Sequence, residues 1–346
     1  MPPLSLLLLS LNFPNKKTSF ARQLELLARA FGLRGVEALA AGVDRGMGFD
    51  GYDALILLGF PDQLSRTKIE ERTPLFLWAQ FSRPPDPSAL EGWTAVPLTE
   101  TTRRFLLSAG VKRVAAPIPH GVDLSLFRPL PAAEKKKIRE EAGLGGRFVV
   151  GTVGANSARK RYKTIFESFA LFAEKRRDAV LIVKTDRTVA RDGTDLANLA
   201  ARSGVTDRTR FIEGELDEDG MAKLYNSMDL YLNLSEWEGF CIPVVEAMAC
   251  GVPVAAQPVQ GPGEIVPYGD LLVRGSDVVE EGGTVLSLAK PEKAAGVLLK
   301  AASDPLLAAT LAAEGRRAAE LRYDIANVAG AWAELAWAGR REGKGL

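Results

Sequence analysis

Glu238 and Glu246 bracket seven residues inside the stretch SEWEGFCIPVVEAMACGVPVAA (235–256), with no metal-ligand cluster or proton-transfer partner spaced near them. Two carboxylates repel a phosphate, yet each accepts hydrogen bonds from neighbouring hydroxyls, and vicinal diols suit such bidentate acceptors. A sugar and a ribose both fit. Hydrogen bonds to a charged group contribute roughly 1.5–3 kcal/mol each, enough to fix a ligand's orientation. The same stretch predicts a helix opened by Pro243, whose fixed φ and missing N–H suit a first helical position, and places Glu246 in its first turn. The helix dipole favours an acid there by roughly 0.3–1 kcal/mol, which by itself explains Glu246. It does not explain Glu238, which precedes Gly239 in a tight loop where the backbone must approach something closely.

With no overall charge excess, any anion must be met by local cations. The run RKRYK supplies Arg159, Lys160, Arg161 and Lys163 immediately after an apolar run, RFVVGTVG (147–154), that ends at Gly154. A strand end leading into a helix, with cations beside it, is a place for an anion. Lys16 and Lys17 in FPNKKTS suit a phosphate, an anionic acceptor or a solvated helix start equally well. Other chemistries lack their residues: there is no Cys/His cluster for zinc, no G-x-S-x-G elbow, and a single histidine, His120.

The elements that position these side chains alternate along the chain. LSLLLLS, DALILLG, PLFLWA and TAVPLT are apolar almost throughout and read as strands of a parallel sheet covered on both faces. Phe20, Leu24, Leu27 and Phe31 mark one face of an intervening helix. Between 116 and 146 four prolines, the run EKKKIREE and GLGG break the pattern, as a linker does. The alternation then restarts with RFVVGTVG, AVLIVK, RFIEGE, LYLNLS and VPVAAQ as strands, and alanine-rich helices follow. The fold class expected is α/β, with two doubly wound Rossmann-like domains facing across a cleft. The boundaries read as 1–128, 129–323 and a last helix, 324–346, capped by Asp324, with Ile325, Val328, Trp332 and Leu335 on one stripe that must pack on something.

Forty-four basic and forty-three acidic residues leave a net charge of +1, so no overall field favours nucleic acid or an anionic membrane. Cys241 and Cys250 are the only cysteines, which fits a reducing cytoplasm. The apolar start lacks a basic flank and a cleavage site and is too short to span a bilayer, so no transmembrane segment is expected.

The run EGFCIPVVEAMACGVPVAA resembles the E-x7-E element of retaining glycosyltransferases of the family-four type, which have the GT-B fold. PIPHGVDLSLFRP (117–129), DGMAKLYNSMDLYLNLS and GPGEIV (261–266) extend the resemblance over most of the C-terminal half, and it implies that the last helix, 324–346, crosses back to the first domain. It implies that Glu238 lies near the donor sugar, that Glu246 holds the nucleotide ribose, and that Gly239, Phe240, Cys241 and Ile242 offer backbone amides to sugar hydroxyls. It implies that Lys160 and an arginine from the same loop hold the donor diphosphate; Ala155 occupies the usual arginine position, leaving Arg159 as the replacement, and Gly154 joins the donor-binding set. The usual paired-glycine loop and N-terminal-domain histidine are absent; His120 reads as structural, and Trp78 and Gln80 as wall residues. The expected activity is retaining transfer from a nucleotide diphosphate sugar to an acceptor hydroxyl, needing no metal and no cofactor. Two alternatives stand: a non-catalytic sugar-nucleotide-binding protein, and a sugar-nucleotide epimerase of the same fold.

Overall fold

The computed structural model describes residues 4–10, 19–42, 51–59, 73–81, 84–275, 277–281 and 284–343; Lys16 and Lys17 lie outside them. Two compact units divide the chain, the first formed by 1–123 with 322–346 and the second by 124–321.

In the first unit, β1 (Ser5–Ser10), α1 (Ser19–Gly32), β2 (Glu37–Gly42), β3 (Ala54–Leu57), β4 (Leu75–Ala79), β5 (Thr94–Pro97) and α2 (Glu100–Ser108) follow one another. The five strands form a parallel sheet of order β2-β1-β3-β4-β5, with Leu7 beside Leu55 in the register. Continuous apolar runs make β1, β3 and β4 buried on both faces, as sheets covered by helices require.

The second unit opens with a connecting segment and α3 (Ala132–Glu141), an exposed helix pinned by Arg139, which meets the Asp229 carboxylate at 2.8 Å. The division falls at 123/124 because the following residues pack on the second unit: the Phe127 ring lies edge-on to Tyr225, and Pro129 packs beside Gly251. Then come β6 (Phe148–Val153), α4 (Tyr162–Lys175), β7 (Ala179–Thr185), α5 (Leu196–Arg202), β8 (Thr209–Glu213), α6 (Glu218–Asn226), β9 (Leu230–Asn233), α7 (Ile242–Ala249), β10 (Val254–Ala256) and α8 (Gln260–Ile265). The parallel sheet has the order β10-β9-β6-β7-β8. Strands β6, β7 and β8 run outward one way, and β9 returns to the other side of β6. The order therefore reverses between β6 and β9, and their carboxyl ends frame the crevice where open α/β sheets take ligands.

An antiparallel pair, β11 (Asp277–Glu281) and β12 (Thr284–Leu288), was not anticipated from the sequence. The run DVVEEGGTVLSL carries its signal, a Gly-Gly between two short β-branched runs. Helices α9 (Pro291–Ser303), α10 (Pro305–Arg322) and α11 (Ile325–Gly343) complete the chain. Asp324 caps α11 by accepting from Ala326 N–H at 2.9 Å, and the helix packs in the first unit, burying Ile325, Val328, Trp332 and Ala336. Trp332 meets Phe76 and Trp78 edge-on, and Arg340 pairs with Asp53 at 2.9 Å. No single helix among the described residues is long and apolar enough to cross a membrane.

Candidate functional site

The loops leaving β6 and β9 meet at the switch point of the second sheet. After β6 the chain makes a short 3-10 turn over 158–160, passes through Arg161 in the left-handed region (φ 52°), and enters α4. That turn aims Lys160 inward, where it is only 7% exposed. After β9, Ser235 to Glu238 fold back so that Glu238, 5% exposed, faces it. Glu238 Oε1 lies 2.5 Å from Lys160 Nζ and 2.5 Å from Arg159 Nη1, and accepts from Ser235 Oγ at 3.0 Å. Burial pushes the Glu238 carboxyl up, but the charges and hydrogen bonds of Lys160 and Arg159 outweigh it and hold it below its ordinary value.

Arg159 is also braced by its neighbours. Its guanidinium stands over the Trp237 ring, 5.1 Å from the centroid, and its carbonyl accepts from Glu236 N–H at 2.7 Å. The other two cations of RKRYK are directed elsewhere. Arg161 Nη1 donates to Gln257 Oε1 (3.2 Å) and the Ala289 carbonyl (3.1 Å), while Lys163 pairs with Glu167 on the exposed face of α4. Gly154, expected in the donor-binding set, follows the end of β6: its N–H donates to the Lys184 carbonyl at 3.0 Å, and its carbonyl accepts from Tyr162 Oη at 2.6 Å. A Cβ there would lie 2.7 Å from Lys160 Cε, so any larger residue would make the lysine end shift from its place beside Glu238.

The loop between the two glutamates is fixed by backbone constraints. Gly261 N–H donates to the Glu238 carbonyl at 3.0 Å, and a Cβ on Gly261 would stand 2.2 Å from the Phe240 carbonyl oxygen. The Phe240 side chain is core, so any ligand contact it makes is through its backbone. Cys241, just before α7, adopts φ 88° and ψ 73°, and its Sγ receives the Asn233 amide at 3.4 Å. Burial pushes its thiol up to about 12. Ile242 is half-buried at the first position of α7.

Two details of the sequence reading change here. The helix begins at Ile242, so Pro243 is its second residue and Glu246 its fifth, beyond the first turn. The dipole argument for Glu246 weakens accordingly, because that effect fades within one turn. A side chain engages Glu246 directly: Tyr225 Oη donates to its Oε2 at 2.6 Å.

In the first unit Trp78 is fully buried, donates Nε1–H to the Ile118 carbonyl at 2.7 Å, and packs between His120 and Trp332. It is a core residue and not the wall residue expected, whereas Gln80 is half-buried at the end of β4. His120 is buried against Trp78, and burial pushes its imidazole down to about 3. Ser235, Tyr225, Trp237 and Gly261 lie in stretches the sequence singles out but carry no role there, because their contacts with the site are set by how the chain folds back and not by residue type or spacing. Among the described residues no group of three or more His, Cys, Asp or Glu side chains gathers as a metal site.

Known proteins resemble this chain in sequence over part of its length and in fold over nearly all of it. The model of the family "Glycosyl transferases group 1" matches residues 134–316. A GDP-mannose-dependent alpha-mannosyltransferase of Mycolicibacterium smegmatis is 34% identical over 146 residues, 42% of this chain and 34% of that protein. A GDP-mannose-dependent monoacylated alpha-(1-6)-phosphatidylinositol monomannoside mannosyltransferase of Corynebacterium glutamicum is 26% identical over 64% of this chain and 56% of that protein. The chain thus spans about a third to just over half the length of these relatives. Among solved structures, Anabaena HepE in complex with UDP and glucose superposes with a TM-score of 0.74 at 17% identity, covering 97% of this chain and 100% of that one. Sucrose-phosphate synthase of Thermosynechococcus elongatus gives 0.77 at 17% identity, over 96% and 98%. At these identities the likeness is one of fold, two Rossmann-like α/β domains.

Proposed function

The chain belongs to the glycosyl transferases group 1 family, and on that premise we propose that it moves a sugar from a nucleotide diphosphate sugar to an acceptor hydroxyl, with retention and without a metal ion. One observation carries the reading: the buried Glu238 carboxylate sits between Lys160 and Arg159 at the strand ends where the sheet order reverses. A departing diphosphate gathers negative charge, and preorganised cations stabilise that charge most in a site shielded from water. Lys160 and Arg159 fill that role from the protein itself. Glu238 then accepts from sugar hydroxyls, with the amides of Gly239, Phe240, Cys241 and Ile242 beside it, and Glu246 accepts from the ribose diol.

The names of the mannosyltransferase relatives and the UDP complex of HepE put GDP and UDP first among bases to try. The test is calorimetry of the purified protein against GDP, UDP and ADP and their sugar conjugates, followed by sugar transfer with the donor that binds. Lys160→Ala is expected to weaken the bound diphosphate by about ten- to a hundredfold, the loss of one charge-assisted hydrogen bond. Unaltered affinity in that variant would remove the diphosphate role. Binding of a sugar nucleotide without transfer or donor hydrolysis would favour the non-catalytic alternative, and release of an epimerised donor the other.

A further inference from the structure

The segment entering the second unit is anchored to the helices that carry the proposed ribose contact. Asn226, the last residue of α6, accepts from Leu130 N–H at 2.9 Å through Oδ1 and donates to the Arg128 carbonyl at 3.0 Å through Nδ2. Arg316 Nη1 donates both to the Phe127 carbonyl (2.9 Å) and to the Ala249 carbonyl (2.7 Å) at the end of α7. The Phe127 ring packs edge-on against Tyr225, centroids 6.2 Å apart, and Tyr231 closes on Tyr225 at 6.0 Å. Held on these sides and fully buried, Tyr225 has one polar atom, and that atom reaches Glu246 Oε2 at 2.6 Å.

We infer that Tyr225 is the positioning residue for Glu246, braced by Phe127 of the inter-domain segment, so that this segment governs how tightly the nucleotide's ribose is held. The inference rests on the reading that Glu246 receives the ribose hydroxyls. A glutamate side chain loses substantial rotamer freedom when a ligand fixes it, and a carboxylate already held by a rigid donor binds with less of that cost. Burial also pushes the Tyr225 phenol well above its ordinary value, so the hydroxyl remains a donor throughout the working pH range.

The experiment compares Kd by calorimetry for GDP and UDP with their 2′,3′-dideoxy counterparts, in wild type, Tyr225→Phe, Phe127→Leu and Glu246→Ala. Tyr225→Phe keeps the ring packing and removes only the hydroxyl. It is expected to weaken the ribose form about five- to tenfold, one hydrogen bond to a charged group, and to leave the dideoxy form unchanged. Phe127→Leu, which keeps the hydroxyl but loosens the ring, is expected to show the same ribose-selective loss at smaller size. It also tests the inference if Tyr225→Phe does not fold. Equal weakening of ribose and dideoxy forms, or no weakening in either variant, overturns the positioning role. Glu246→Ala separates the two layers: unchanged Kd there overturns the ribose assignment itself, whereas a loss there with none in Tyr225→Phe overturns only the role of Tyr225.

Discussion

Glu238 Oε1 and Lys160 Nζ lie 2.5 Å apart although 78 residues separate them in the chain, and Arg159 reaches the same oxygen. The carboxylate and the two cations neutralise one another in part, in a place from which water is largely withdrawn. On the proposed function, a diphosphate arriving at these cations competes with Glu238, and a sugar hydroxyl arriving at Glu238 competes with the cations. Both exchanges are expected to occur together when a complete donor binds.

Glu238→Gln separates them. Breaking a buried ion pair from one side costs about 3–5 kcal/mol, read by urea unfolding. Diphosphate affinity in this variant is expected to hold or rise, because Lys160 and Arg159 lose their resident anion, while sugar transfer falls. Calorimetry with GDP and UDP beside a transfer assay checks this; affinity falling in step with transfer would contradict the competition.

The same residue sets an acid limit. Because its folded value is depressed below 4.5, Glu238 contributes stability that is fully present above that pH and is lost as pH falls through the folded value. The gap in unfolding free energy between wild type and Glu238→Gln should be level from pH 8 to about 5 and should narrow below about 4.5. A gap that widens on acidification would reverse the sign.

His120 acts over a higher window. Its folded value is near 3 and its ordinary value 6.5, so between those limits the unfolded chain binds the extra proton. Stability is therefore expected to decline as pH drops below 6.5, and His120→Asn to flatten that slope. As the only histidine in the chain, its ring resonances should stay in the neutral position between pH 7 and 5 by NMR; a midpoint near 6.5 would show a solvated ring.

Cys241 holds a left-handed backbone that costs an L-residue roughly 1–2 kcal/mol. Cys241→Gly removes that strain while losing the Sγ contact with Asn233, so its melting temperature should stay near that of wild type. Cys241→Val puts a β-branched residue in the same conformation and should melt well below both. Equal melting of the Gly and Val variants would argue against strain at this position.

Gly261→Ala drives a Cβ against the Phe240 carbonyl, a backbone atom that cannot turn aside. A destabilisation of about 1–3 kcal/mol is expected, with transfer lost more than diphosphate binding, because the loop between the glutamates must move. Gly151→Ala meets the Met228 thioether instead, a flexible side chain that can yield, and should cost less. The two melting temperatures side by side decide the matter.

Much of this protein is legible in its sequence because its signals are local. Continuous apolar runs marked β1, β3, β4, β5 and the five strands of the second sheet, whereas the edge strand β2, whose EALAAG is half-exposed, and the antiparallel pair β11 and β12 went unmarked. The break in the pattern between 116 and 146 contains the division at 123/124. Glu238, Glu246 and Lys160 stood out by residue type at strand ends. Tertiary structure alone decided the partners. Which of four neighbouring cations meets Glu238 depends on the left-handed turn at Arg161, which turns Arg159 and Lys160 toward the site while Gln257 draws Arg161 away. That Lys160 lies beside Glu238 at all depends on β9 returning to pair with β6. A strand's neighbour is chosen by the packing of the whole sheet, and the short-range periodicity that makes a strand carries no record of which strand will lie beside it.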